Sequence, residues 1–128
     1  MKLFGTLSKL YPPNKYSIDY NFKGFDWLKN KKTGRFQEID IFIKSKKGDF
    51  TLAVEYDGKQ HFKPVAFCGN KKAAIERFEK QKKSDKSKTR KIKRHSKDVK
   101  YFIRFNFKDS LDADAVKNKL KSKKIPVK

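Results

Sequence analysis

The stretch LAVEYDGKQHF, residues 52–62, limits what this chain can fold into more than any other. It opens as a buried strand and ends in Glu55, Asp57, Lys59, Gln60 and His61. Those groups are costly to desolvate and suited to holding a metal ion. A strand of this kind has to lie in a covered sheet, with a polar corner where it ends.

At 128 residues the chain is most simply one domain, 1–128, closed by a basic C-terminal helix or tail at about 112–128. It is 36% hydrophobic, with 12 Phe and 5 Tyr, so it can build a core although 38% of its residues are charged. A formal charge of +21 on so small a body repels itself unless a polyanion neutralises it. Nucleic acid is the partner that fits best, and an anionic membrane surface comes second. No apolar run approaches the length of a membrane span and the N-terminus has no signal-peptide core, so the sequence reads as soluble and not secreted. A single cysteine, Cys68, excludes an internal disulfide and a multi-cysteine zinc site, and reads as a reduced structural thiol.

The patterning predicts an amphipathic segment over 1–10, stopped by Pro12 and Pro13. Strands are expected over 15–22, 36–43, 50–58 and 99–107, a basic helix over 71–96 and a closing helix from Asp112. The order α-β-β-β-α-β-α implies an α/β or α+β fold, a sheet with helical cover. Alternation puts Ile39, Ile41 and Ile43 on one face of the second strand, with Glu38, Asp40 and Phe42 on the other. In the third strand Leu52, Val54 and Tyr56 oppose Ala53, Glu55 and Asp57. A turn of about four residues around Lys46–Asp49 then pairs Asp40 with Glu55 or a neighbour, with facing Cβ atoms about 5 Å apart. In that register Asp40, Glu55 and Asp57 meet at one corner of the sheet, and a slip of one residue would separate them. Oxygen ligands so placed suit Mg²⁺ or Mn²⁺, and an acidic island on a basic surface divides the labour as a metal-dependent nuclease needs.

These stretches resemble the PD-(D/E)xK nuclease superfamily. They are most similar to its subgroup related to very-short-patch mismatch-repair and homing endonucleases, found widely in phages and large viruses. The residues that carry the likeness are EIDIFI, VEYDGKQHF, KPVAFCGN, FEKQKKSDKSK and YFIRFNF, spanning about residues 15–107. The resemblance implies a restriction-endonuclease-like αβββαβ core with a mixed four-stranded sheet. It implies a Mg²⁺-dependent (or Mn²⁺-dependent) endonuclease of nicking, repair or homing type, acting on double-stranded DNA inside the cell. Asp40 matches the first metal-binding Asp and Glu55 the Glu of the ExK motif, with Asp57 aiding the metal where the superfamily usually has Lys. Gln60 and His61 would stand near the attacking water, and Lys59 and Asp85 are further candidates. Ile39 replaces the signature proline. A homodimer is one way for so small a nuclease to reach both strands.

Each residue also has a plainer reading. Asp40 and Glu55 can be ion-paired with lysines, and Asp57-Gly58 is a turn signal in its own right. Asp85, the only acidic residue between 80 and 97, can pair with Lys82, Lys86 or Lys88. His95 reads as a helix cap, and Trp27 as core or as a stacking platform for a base. Lys82, Lys83, Lys86, Lys88, Arg90, Lys91, Lys93 and Arg94 read as phosphate contacts, with Lys117, Lys119, Lys121, Lys123 and Lys124 as a second patch. The rival functions are a non-catalytic nucleic-acid-binding or packaging protein on a nuclease-like fold, and a ribosome-associated or RNA-processing protein. Both explain the charge without the acidic corner.

Overall fold

The computed structural model describes residues 2–29, 32–58 and 71–127. Lys59, Gln60, His61 and Cys68 lie outside the described residues, as does all of the KPVAFCGN stretch. The elements follow as α1 (Lys2–Leu10), β1 (Tyr16–Phe22), β2 (Ile39–Ser45), β3 (Thr51–Asp57), α2 (Lys71–Arg94), β4 (Tyr101–Asn106) and α3 (Ala113–Ser122). The strands form one mixed sheet in the order β1-β2-β3-β4, antiparallel except for the β3–β4 pair, which is parallel. Helix α2 lies in the crossover that a parallel pair requires. The predicted element order and the mixed α/β class hold.

Both faces of the sheet are covered, which is why β3 reads as nearly continuous apolar sequence: Leu52, Ala53 and Val54 are all fully buried. On one face Ile41, Ile43, Leu52, Val54, Ile103 and Phe105 pack against Leu3 and Leu7 of α1 and Val116 and Leu120 of α3. The spacing of Leu3 and Leu7, and of Val116 and Leu120, puts each pair on one side of its helix. On the other face Phe42 and Ala53 pack against Ile92 of α2, together with Leu28 and Val99. Each fully buried Leu, Ile or Phe in these layers contributes about 1.5–3 kcal/mol.

Two expectations are corrected. Strand β2 runs three residues later at its start than 36–43 and continues through Lys44 and Ser45, which pair with Ser17 and Tyr16 of β1. Residues 36–38 instead fold back on the Asp26–Leu28 turn, where Phe36 bridges Lys29 and the Gln37 amide donates to the Leu28 carbonyl at 2.9 Å. Ile39 accordingly joins the Leu28–Phe42 cluster rather than staying with Ile41 and Ile43.

The β2–β3 turn fixes the register. Gly48 takes φ +82, a conformation that disfavours side chains, and its amide donates to the Ser45 carbonyl at 3.0 Å. Ser45 Oγ donates to Asp49 at 2.7 Å and accepts from the Phe50 amide at 3.1 Å. Ile41 then faces Val54 and Phe42 faces Ala53. No helix among the described residues is long and apolar enough to cross a membrane.

Candidate functional site

One step beyond the Ile41–Val54 pair, the register brings Asp40 opposite Glu55, as the alternation argument requires. The Asp40 amide donates to Glu55 Oε2 at 3.4 Å, and the Tyr56 amide donates to Asp40 Oδ2 at 2.8 Å. The two carboxylates therefore close the β2–β3 ladder by side-chain contacts. Glu55 is only 3% exposed. Burial pushes its carboxyl up, contact with Asp40 pushes it further, and the Lys88 ammonium opposes both, leaving it titrating at about 8. Lys88, largely buried on α2, places its ammonium against Glu55 Oε1. Among the described residues that ammonium is the one partner of Oε1.

Asp57 has a different partner. Parallel pairing sets Arg104 of β4 beside Glu55 and Asn106 beside Asp57. The Arg104 guanidinium reaches along the sheet and donates from Nη1 to Asp57 Oδ1 at 2.9 Å. Its Nη2 turns to α2, donating to Thr89 Oγ1 and, at 3.3 Å, to the Asp85 carbonyl. One side chain so ties β3, β4 and α2 together. Asp40 and Glu55 are thus brought together, while Asp57 is bonded to Arg104. No group of three His, Cys, Asp or Glu side chains fit to hold a metal occurs among the described residues.

Helix α2 roofs this corner. A cleft of about 740 Å³ opens between the strand ends and the helix, lined by Asp57, Asp85, Thr89 and Arg104 with Lys82, Lys86 and Arg90. The last three recur every fourth residue and so form one stripe along α2. Lys83, Lys93 and Arg94 are exposed elsewhere on the helix and Lys91 is half-buried, whereas Lys88 points inward and is no surface contact. Asp85 accepts from Gln81 Nε2 at 2.9 Å.

No family model, curated protein or solved structure matches this chain. Trp27, a candidate stacking platform, stacks on Phe25 at 4.7 Å, meets the His95 ring edge-on at 4.3 Å and donates its indole N–H to Asp98 at 3.0 Å. His95 follows the end of α2, where its carbonyl accepts from the Asp98 and Val99 amides and its own amide donates back to Lys91 and Ile92. Arg104 is the residue the sequence reading missed. Its signal was there: a charge inside the aromatic strand YFIRFNF needs a buried partner.

Proposed function

We propose that this chain is a metal-dependent DNA endonuclease with a restriction-endonuclease-like core of the PD-(D/E)xK kind. One observation carries the reading: two carboxylates, Asp40 and Glu55, meet at a buried strand end, with Lys88 the one partner of Glu55 Oε1 among the described residues. Hard divalent cations such as Mg²⁺ or Mn²⁺ bind through one or two carboxylates together with waters and phosphate oxygens, and this pair fits that donor set. Asp40 and Glu55 would hold the ion, which supplies a lowered water pKa and neutralises charge developing on the phosphate.

The chain's own groups do the remainder. Lys82, Lys86 and Arg90 line the cleft with Asp57, two residues on from Glu55, and hold the phosphodiester by charge. Lys88 keeps a cation against Glu55 and limits the penalty of burying it. Arg104 fixes Asp57 and the α2 roof in place. The motif resemblance assigns Gln60 and His61 to the attacking water, with Lys59 nearby.

A second reading rests on a specific observation too. Glu55 is already paired with Lys88 and Asp57 with Arg104, as they would be in a nucleic-acid-binding protein that uses charge without chemistry. Supercoiled-plasmid cleavage with Mg²⁺, Mn²⁺ or EDTA separates the two, run beside Asp40→Ala and Glu55→Gln with a binding assay for each protein. Metal-dependent nicking that both variants lose while keeping DNA affinity is the expected result. Tight, salt-sensitive binding with no cleavage of any DNA or RNA substrate would leave only the binding protein.

A further inference from the structure

The strand ends opposite the cleft carry a second concentration of charge. Lys46 and Lys47 lie in the β2–β3 turn, and the Lys46 amide donates to the Lys15 carbonyl at 2.9 Å, so Lys15 stands beside them. Phe50, just past the turn, stacks on Tyr11 at 5.4 Å and meets Tyr16 edge-on. Tyr11 Oη in turn donates to the Pro126 carbonyl at 2.8 Å, which docks the segment after α3 at this same end. Lys123 and Lys124 immediately precede it. All five lysines are exposed, and no ion pair or hydrogen bond among the described residues engages their ammonium groups. Asp49, which accepts from Ser45, is the one acidic residue of the turn.

The segment holding Lys123 and Lys124 is built, not a loose tail. The Ile125 amide donates to the Leu120 carbonyl at 3.0 Å and the Lys124 amide to that of Lys121 at 2.9 Å, the paired bonds of a Schellman helix end. Leu120 and Ile125 are both buried beneath it. Lys124 occupies the left-handed position, at φ +59, where glycine is the unstrained residue. A lysine in a place that favours glycine, at a charged surface, is strain that points to use of its side chain.

From these observations we infer that the turn end of the sheet is a second duplex-DNA-binding surface, so that one molecule holds two DNA segments. Seven-residue strands separate it from the cleft by about 20 Å. It also lies with the α1–α3 layer, whereas the cleft lies under α2. A duplex is stiff over about 150 base pairs, so one short duplex seated in the cleft does not wrap round to it. The inference rests on the reading that the α2 cleft binds DNA.

The test uses a bead-bound short duplex and a labelled second duplex, in EDTA, with the full chain. Wild type should capture the second duplex, best at sub-saturating protein. Lys123→Gln/Lys124→Gly should lose most of that capture while keeping single-duplex affinity and plasmid nicking. It should also melt no lower than wild type, because glycine relieves the helix end. Lys82→Gln/Lys86→Gln/Arg90→Gln should lose capture as well, since bridging needs both surfaces. Binding of one duplex without capture of a second overturns this inference alone. So does capture untouched by the Lys123/Lys124 variant, or a variant that loses only its binding to phosphatidylserine vesicles. Failure of wild type to bind any duplex overturns this inference together with the reading beneath it.

Discussion

Glu55 is where burial, repulsion and attraction meet on one side chain. An unfolded carboxyl of this type titrates at about 4.3, whereas the folded one is pushed up to about 8. Between those values the native state binds more protons than the unfolded chain. The contribution to stability is therefore complete below the unfolded value and is lost as pH rises through the folded one. Glu55→Gln keeps the shape and removes the titration. In EDTA, the variant should come closest to wild type in urea midpoint near pH 4, below the unfolded value, and exceed it at pH 9. Equal differences at both pH values would show that Glu55 does not carry the raised carboxyl. Under the nuclease reading Mg²⁺ raises the wild-type midpoint, and it should do so far less in the variant.

At the scale of elements, α2 is the informative one. Its 24 residues are mostly polar, and Ile92 is its one fully buried side chain among those described. A helix so basic all round does not announce which side faces the protein, so the inward turn of Lys88 was not legible in the sequence. Nor was the Arg104–Asp57 contact, because it depends on β4 lying parallel to β3, a long-range pairing with no local signal. The Asp40–Glu55 meeting was legible, since period-two alternation and a short glycine turn fix a hairpin register between them. With so little apolar anchorage, α2 depends on Arg104 bonding Thr89 and the Asp85 carbonyl. Arg104→Ala should lower stability by about 2 kcal/mol in denaturant titration, within the range for hydrogen bonds to a charged group. Amide exchange should quicken in α2 and stay unchanged in β1 and β2. Equal quickening throughout would mean that Arg104 supports the whole core and not the roof of the cleft.

For the whole molecule the governing quantity is +21, spread over a body with a sheet in the middle and helices on both faces. Charge of that size favours a polyanionic partner and says nothing about where a duplex would lie. The folded positions do distinguish the lysines. Lys82, Lys86 and Arg90 share the cleft wall, Lys83, Lys93 and Arg94 point elsewhere, and Lys88 is spent on Glu55. Each phosphate neutralised contributes about 0.9 to the slope of log affinity against log salt. Replacing the cleft stripe by glutamine should flatten that slope by up to about 2.7 for three contacts. The same change at Lys83, Lys93 and Arg94 should flatten it much less, and Lys88→Gln should leave the slope alone. Fluorescence anisotropy on one short duplex from 50 to about 300 mM NaCl gives all four slopes, a range over which several phosphate contacts are worth orders of magnitude in affinity. If any three cations prove equivalent, the duplex is held by diffuse charge and the cleft has no part in placing it. A loss confined to the stripe puts the phosphodiester in the cleft lined by Asp57, two residues on from Glu55, which the hydrolytic reading needs.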